Sequence, residues 1–334
     1  MSRTEPAVSV VIETINLPPG DSHGLDSTLA GLARQTIASE IEVIVVADPK
    51  VHAELRRHLA STPLEVSVID APGLGYYAQK MAGAQRARGE IVAFTDSDCI
   101  PLDTWAEAIL EAFAGGDDRL GAVQGPIASD GSILGDAFTA TLWAGLQTRK
   151  TRRTTWIGGS NCAFRRAELL VQPFDDAPLF HGPDVRMAQH VVASGRYILL
   201  HPAARVRHGR VPGFMPFLAR GFYWGYCFAL LCLGRDSSPR YAALFRRVGP
   251  LAPLALGPVK AFVDLRELLL RRSDLGVPVR RLLPVAAVLL LNAVPVGLGA
   301  VRGLMKLPPP TAATSSNAHM AELARLSGSR AKEG

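Results

Sequence analysis

The chain has 334 residues, of which 48% are hydrophobic and 20% are charged, and its formal net charge is +6. This balance excludes a chain that is disordered throughout, and the apolar runs are too localised for a polytopic membrane protein. The four cysteines form no C-x-x-C pair and no cluster with histidine. That argues against a disulfide framework or a structural zinc site and favours reduced thiols in a cytosolic compartment.

The first hundred residues alternate short apolar runs with helical patterns. The β-branched runs predict buried strands over Val8–Ile15, Ile41–Val46, Val66–Ile69 and Ile91–Thr95. Leucine and alanine at helical spacing predict helices over Leu25–Ala33, Val51–Leu59 and Tyr76–Arg88. This rhythm indicates a mainly parallel sheet with helices on both faces, which binds its ligands at the carboxyl ends of the strands.

Asp96-Ser97-Asp98 follows the fourth predicted strand. Two carboxylates one residue apart in a turn can point to the same place outside the sheet, and Mg²⁺ and Mn²⁺ prefer carboxylate oxygens. Because Asp is also a common turn former, it is the position after a buried strand that favours a metal site here. The chain has no dinucleotide-binding G-x-G-x-x-G after the first strand, no P-loop, no G-x-S-x-G and no H-E-x-x-H.

The positive charge is concentrated in the C-terminal third. Arg205–Lys306 contains sixteen basic and four acidic residues, so the rest of the chain is net negative. The same stretch contains Leu282–Val301, an uncharged run of about the length that crosses a bilayer. Two shorter apolar runs precede it, Gly221–Gly234 and Val248–Pro258, and the three prolines of the second predict an interruption. A basic, aromatic and apolar region favours a membrane surface over nucleic acid, with a buried core helix as the alternative.

Several motifs in order resemble the family 2 glycosyltransferases, which have the GT-A fold. Val8–Asn16 resembles the family's V-S-V-V-I-P-T-x-N, and Glu42–Asp48 resembles E-V-I-V-V-D-D. Ala87–Asp98 resembles A-R-G-E-I-V-A-F-x-D-x-D, and Gly158–Arg166 resembles the acceptor-side strand G-x-S-N-x-A-x-R-R. Gly195–His208 resembles the ending G-x-x-x-x-x-x-P-x-A-x-V-x-H. The resemblance covers roughly residues 8–225.

The sequence departs from the family pattern at a few positions. Glu13 replaces the usual proline, Ala47 replaces the first of two acids, and Gln79–Met81 replaces A-R-N. Gly182-Pro183 precedes Asp184 where the family usually has a pair of acids. Since the Q-x-x-R-W signature of processive synthases is absent, addition of a single sugar is favoured over polymerisation.

The resemblance implies a metal-assisted, inverting transfer of one sugar from a nucleotide-sugar donor, with a UDP-sugar expected. It implies that Asp98 binds Mg²⁺ or Mn²⁺ directly, and that Asp96 faces the ribose or reaches the ion through water. His208 is a candidate further ligand, or else a structural histidine. Asp48 is a candidate contact for the nucleoside base, with an ordinary turn acid as the alternative, and Thr14 is a further candidate for binding the donor.

The remaining site candidates lie on helices and on the acceptor side. Lys80 is a candidate phosphate contact or a solvated helix residue. Asp184 is the candidate general base, although an acid after Pro183 also suits the start of a helix. Trp156, Gly159 and Asn161 are expected on the acceptor side, where Trp156 would stack on a sugar unless it is a core residue.

Taken together, the sequence predicts an α/β protein of the GT-A type, with a Rossmann-like mixed sheet and a C-terminal helical membrane-associating region. The expected division is a catalytic domain over 1–215, a helical region over 216–306 and a flexible tail over 307–334. The expected partners are a nucleotide-sugar donor and a lipid-linked or glycan acceptor, without nucleic acid. The expected location is the cell membrane with the catalytic domain facing the cytoplasm. Two alternatives remain: a sugar nucleotidyltransferase, disfavoured by the missing glycine-rich first loop, and a non-catalytic membrane-bound nucleotide-sugar binding protein.

Overall fold

The computed structural model describes residues 5–17, 23–49, 62, 64–174, 182–209, 213–233 and 252–305, together with residues 55, 59 and 307. The chain divides into two compact units. The sheet unit consists of the described residues within 1–130, 145–177 and 183–210. The helical unit consists of those within 131–144, 178–182 and 211–334.

The strands all belong to the sheet unit, and the helices are divided between the two units. The strands are β1 (Val8–Glu13), β2 (Ile41–Ala47), β3 (Val66–Asp70), β4 (Ile91–Asp96), β5 (Cys99–Pro101), β6 (Leu120–Gln124), β7 (Ile127–Ala128), β8 (Arg152–Thr154), β9 (Asn161–Arg165), β10 (Tyr197–Leu200) and β11 (Val206–His208). The helices are α1 (His23–Ala33), α2 (Tyr76–Arg86), α3 (Trp105–Gly115), α4 (Ile133–Trp143), α5 (Arg166–Val171), α6 (Pro183–Ala193), α7 (Phe214–Leu233), α8 (Ala252–Leu270), α9 (Arg272–Leu275) and α10 (Leu282–Leu304).

The central sheet is mixed and has the order β3-β2-β1-β4-β9-β6-β10-β8. Strands β3, β2, β1 and β4 are parallel, whereas β9 runs antiparallel to both β4 and β6. A second sheet has the order β5-β11-β7. Every residue of β1, β2 and β4 is buried, which explains why these strands appear in the sequence as continuous apolar runs rather than as alternating ones. The predicted α/β mixed sheet is confirmed.

The register of the parallel strands brings the predicted ligands to one edge. Glu13, at the end of β1, pairs with Val46 on β2 and with Asp96 on β4. The loops that follow these strands therefore begin side by side. This edge lies at the carboxyl ends of the strands, where open α/β sheets bind their ligands.

The helical unit contains α4 and the helices from α7 onward. The predicted run Leu282–Val301 lies within α10, and residues 279–304 are long and apolar enough to cross a membrane by length and composition. The predicted interruption at Val248–Pro258 is wrong where the structure describes it, because α8 begins at Ala252 and continues through Pro258. The predicted helix Val51–Leu59, apart from residues 55 and 59, and the predicted tail, apart from Leu307, lie outside the described residues.

Candidate active site

Asp96 is held by donors on both of its carboxylate oxygens. The Lys80 ammonium and the Tyr76 hydroxyl donate to Oδ1 at 2.8 and 2.7 Å, and Asn16 Nδ2 donates to Oδ2 at 3.2 Å. Lys80 comes from α2, is completely buried, and lies 4.6 Å from the ring centroid of Tyr76 and 5.6 Å from that of Phe94. A buried ammonium is tolerated when it is paired and hydrogen-bonded, and here the pair fixes the rotamer of Asp96. Lys80 is therefore not a solvated helix residue, and its contact with a donor phosphate stays a prediction.

Glu13 adds a second buried acid beside this pair. Its carboxylate accepts from the backbone N–H of Ile15 at 2.6 Å and from Asn16 Nδ2 at 2.8 Å. Burial and the charge of Asp96 raise the pKa of Glu13 to about 8, although Lys80 lowers it. Burial alone would lower the pKa of Lys80, but Asp96 and Glu13 outweigh that effect and raise it. Carboxyl groups therefore outnumber ammonium groups among the described residues of this cluster.

Asp98 and His208 lie next to each other, as predicted for a metal site. His208 Nε2 is 3.4 Å from Asp98 Oδ2, although 110 residues separate them in the chain. Strand β11 pairs antiparallel with β5 so that His208 lies opposite Cys99. One potential ligand atom each from Asp98, Cys99 and His208 lie within 4.8 Å of one another. Oxygen, nitrogen and sulfur atoms this close fit a divalent transition metal ion.

Cys99 was not predicted as a member of the site. Its Sγ lies 3.9 Å from Asp98 Oδ1, and its side chain is completely buried. Burial, followed by the charge of Asp98, raises the pKa of the Cys99 thiol. No sequence spacing indicates this role, because the histidine opposite Cys99 is His208, which lies more than a hundred residues later in the chain.

Thr14 and Asp48 lie at the same edge of the sheet and make contacts within the protein. The Thr14 hydroxyl donates to the Val46 carbonyl at 3.0 Å, and the Thr14 N–H donates to Gln79 Oε1 at 3.1 Å. Asp48 is half-buried and accepts from the N–H of Gly73 at 2.8 Å. Donor binding by either residue stays a prediction, and their positions beside Asp96 are compatible with it.

Two adjacent tyrosines connect the candidate metal side with the candidate base. The rings of Tyr76 and Tyr77 meet edge to face at 4.8 Å. Tyr76 donates to Asp96, and Tyr77 lies near the Asp184 carboxylate. Burial and the charge of Asp184 raise the pKa of Tyr77 well above its usual range. Gly159 lies directly against both tyrosines, since a Cβ there would be 3.1 Å from Tyr77 and 3.3 Å from the Tyr76 hydroxyl.

Asp184 lies in the first turn of α6, directly after Pro183, and is half-buried. Its Oδ1 accepts from the N–H of Val185 at 2.9 Å, which is the helix-start arrangement expected for an acid at this position. Its proximity to Tyr77 brings the carboxylate into the same neighbourhood as Asp96. The role of general base stays a prediction.

The two other acceptor-side candidates differ in exposure. Trp156 is 54% exposed, so it is not a core tryptophan. Asn161 is buried, and its amide is committed to the protein: Oδ1 accepts from Trp105 Nε1 at 2.8 Å, and Nδ2 donates to the carbonyls of Pro126 and Ala204. Asn161 therefore joins three segments of the sheet unit beneath the Gly159 turn, and Trp156 offers an exposed ring beside it.

Residues 9–171 match the family model for Glycosyl transferase family 2. These residues form a family 2 glycosyltransferase domain. The domain includes β1 to β4, the Asp96–Asp98 turn, Lys80 and the acceptor-side strand β9. Asp184 and His208 follow it in the chain.

Two known proteins are similar to this chain. Glycosyltransferase AglE of Haloferax volcanii is 31% identical over 127 residues, which are 36% of this chain and 40% of AglE. The chain thus matches less than half of the length of this relative. Mannosyltransferase PcManGT from Pyrobaculum calidifontis, solved with GDP-Man and Mn²⁺, superposes with a TM-score of 0.56 at 16% identity. The superposition covers 91% of this chain and 88% of PcManGT, and it confirms the predicted GT-A fold.

Proposed function

We propose that this protein transfers one sugar from a nucleotide-sugar donor to a lipid-linked or membrane-proximal acceptor, with inversion at the anomeric carbon. The observation that carries the proposal is the juxtaposition of Asp98 and His208 at the edge of a family 2 sheet, beside the Lys80–Asp96 pair. A nucleotide-sugar brings two phosphates to this edge. A cation held at Asp98 would offset the negative charge that those phosphates bring.

On the donor side, Asp98 and His208 would hold Mg²⁺ or Mn²⁺, and Asp96 would face the ribose or the ion through water. When bound, the ion acts as a Lewis acid toward the diphosphate that leaves the sugar. Lys80 holds Asp96 in one rotamer by a buried ion pair. Asp48 and Thr14 would contact the nucleoside. A UDP-sugar is the donor expected from the sequence, and the complex of PcManGT with GDP-Man makes a GDP-sugar the second donor to test.

On the acceptor side, Asp184 would accept the proton of the attacking hydroxyl. The hydroxyl oxygen then bonds to the anomeric carbon from the face opposite the diphosphate, and the bond to the diphosphate oxygen breaks. The proton ends on the Asp184 carboxylate, which the neighbouring Tyr77 would orient. Trp156 presents an exposed ring for stacking on a sugar, and Gly159, which has no side chain, lies directly against the two tyrosines.

We place the protein at the cell membrane, with the catalytic domain facing the cytoplasm. Support comes from α10, which is long and apolar enough to cross a bilayer and is flanked by Arg280, Arg281 and Arg302. Anionic lipid attracts basic residues near its surface. This location fits an acceptor that is itself anchored in the membrane.

The test is a donor panel with the full chain in detergent and Mn²⁺. Wild type is expected to release a nucleoside diphosphate from one donor, and Asp98→Asn to reduce the rate at least about 100-fold because the ion is lost. The matched control is Asp103→Asn, an exposed aspartate that pairs with Arg34, which is expected to leave the rate unchanged.

Three outcomes would contradict the proposal. Full activity in Asp98→Asn would exclude metal-assisted transfer at this site. Release of pyrophosphate instead of a nucleoside diphosphate would indicate a nucleotidyltransferase. A wild-type protein that binds the donor without turnover, with the same donor affinity in Asp184→Asn, would indicate a binding protein.

A further inference from the structure

The backbone fixes three potential ligands at the end of the sheet. Asp98 and Cys99 are adjacent where β5 begins, and the antiparallel register places His208 opposite Cys99. The N–H of Gly209, which follows His208, donates to the Asp98 carbonyl at 2.6 Å. The relative positions of the three side chains are therefore set by strand pairing rather than by a free loop.

The distance between His208 and Asp98 falls within the range for two ligands of one ion, and the distance between Cys99 and Asp98 is slightly longer. Two ligands of a tetrahedral ion, each about 2.0 to 2.3 Å from it, lie about 3.3 to 3.8 Å apart. His208 Nε2 lies 3.4 Å from one oxygen of Asp98, and Cys99 Sγ lies 3.9 Å from the other. All three ligand atoms lie within 4.8 Å of one another.

These three side chains differ chemically from a metal site made of carboxylates alone. Magnesium and calcium prefer oxygen ligands, whereas thiolate and imidazole favour zinc, cobalt and similar transition metal ions. Cys99 is completely buried and His208 nearly so, so water competes poorly at these two atoms. The alternative role for Cys99 is that of a small buried side chain that donates a weak hydrogen bond to Asp98.

We propose that Cys99 is a third protein ligand at the Asp98–His208 site and that its sulfur makes the site prefer Zn²⁺ or Co²⁺ to Mg²⁺. The proposal rests on the proposed function only in placing a divalent ion at this site. It adds a residue that selects among ions, and it would survive if the transferred sugar or the acceptor proved to be different.

The experiment is a titration of the detergent-solubilised full chain with CoCl₂, repeated with UDP present. Sulfur ligation is expected to produce a near-ultraviolet sulfur-to-cobalt charge-transfer band in wild type. Cys99→Ser is expected to lose this band and about tenfold or more of its Co²⁺ affinity, with Mg²⁺ affinity changed less than about twofold. Cys227→Ser, a buried cysteine of the helical unit, is the matched control and should keep the band.

Several results would overturn the proposal. Visible cobalt bands in wild type without the charge-transfer band would show a site without sulfur, and this result does not depend on the folding of any variant. Equal loss of Co²⁺ and Mg²⁺ affinity in Cys99→Ser would show a structural role, and binding of neither ion by wild type would remove the site. Sugar transfer, measured separately with Asp98→Asn, can succeed or fail independently of the sulfur band.

Discussion

The sheet unit and the helical unit differ in where they place large hydrophobic side chains. Among the described residues of the sheet unit, two such side chains are more than half exposed, Trp156 and Val171. The described part of the helical unit has twelve, on or near α7, α8 and α10: Met215, Val259, Phe262, Leu269, Leu270, Val279, Leu283, Leu290, Leu291, Val294, Leu298 and Met305. Scattered exposed residues are normal in water, whereas a set of this size indicates a surface that another apolar phase covers.

The two units also differ in what fills their interiors. The sheet unit buries aliphatic strand residues and, at one edge, the Lys80–Asp96 pair. In the helical unit, α7 and α10 approach backbone to backbone at glycines. A Cβ on Gly225 would overlap the Val296 carbonyl, and one on Gly299 would overlap the Phe222 carbonyl. Small residues at helix contacts are typical of packing inside a bilayer, where the hydrophobic effect does not drive helices together.

The largest expected effect is on membrane attachment, which an acid on the exposed face of α10 should weaken and an acid on the sheet unit should not. We expect the full chain to stay with the membrane fraction when detergent is absent. Leu290→Glu combined with Leu291→Glu should shift it toward the soluble or aggregated fraction, because each acid costs about 2.5 to 3.5 kcal/mol near a bilayer centre. Val171→Glu, on the exposed surface of the sheet unit, should leave the distribution unchanged. Sedimentation and flotation with quantitative immunoblotting provide the measurement.

Wild-type protein that stays soluble and monodisperse without detergent would contradict the expected membrane attachment of the helical unit. An unchanged membrane fraction in the double variant would also show that the exposed face of α10 does not contact lipid.

The next effect concerns the glycine contacts of the helical unit. Gly299→Ala should destabilise the packing of α7 on α10 by about 2 kcal/mol, because the added methyl group meets a backbone carbonyl that cannot rotate away. Gly297→Ala is the matched control on the same helix, since the nearest atom to its Cβ would be 3.8 Å away. It should be neutral or gain up to about 1 kcal/mol in helix propensity.

The readout for this pair is maleimide labelling of Cys227, a buried residue of α7, followed by mass spectrometry in detergent. Gly299→Ala should label about tenfold faster than Gly297→Ala or wild type. Equal labelling in all three proteins would show that these helices tolerate separation.

The third effect compares two buried acids of the sheet unit and depends on pH. The pKa of Glu13 is about 8 in the folded state and 4.5 for an ordinary glutamate, so the folded state binds more protons between these values. Stability that is present below pH 4.5 is therefore lost as pH rises through 8. In EDTA, the free energy of unfolding of Glu13→Gln should exceed that of wild type by about 2 kcal/mol at pH 8 and by little at pH 5.

The matched control for Glu13 is Glu42 on the neighbouring strand. Although burial raises the pKa of Glu42, hydrogen bonds from Ser9 and Arg88 outweigh that effect and lower it. Glu42→Gln should therefore destabilise the protein at pH 7 instead of stabilising it. Urea unfolding at each pH measures both variants, and a pH-independent difference between Glu13→Gln and wild type would refute the assigned cause.

Much of the sheet unit could be predicted because its apolar runs and the acids that follow them both depend on neighbouring residues. Strands β1, β2 and β4 are buried on both faces, so they appear as apolar runs, and Asp96 and Asp98 follow one of them directly. The contacts of Lys80 could not be predicted in this way. A lysine on a helix of mixed composition resembles a solvated residue until the sheet brings Asp96 within 2.8 Å of its ammonium.

Separation along the chain explains why the sequence did not predict the role of Cys99 or the unit to which α4 belongs. Cys99 follows a predicted metal ligand, but its relevance depends on β11, which pairs with β5 from more than a hundred residues away. Helix α4 lies within the sequence of the predicted catalytic domain, yet Asp136 pairs with Arg281 and Thr141 contacts Lys260, so it belongs to the helical unit. Neither association leaves a periodic signal, because periodicity reports which face is buried and not what buries it.

The sequence by itself determined the alternation of strands and helices, the acids at the end of β4, and the apolar length of α10. These features depend on burial and on turn chemistry, which act over a few residues. Only the tertiary structure decided that Lys80 neutralises Asp96, that Tyr77 reaches Asp184, and that a cysteine and a distant histidine flank Asp98. Those relations depend on strand register and helix packing, which act between segments that are far apart in the chain.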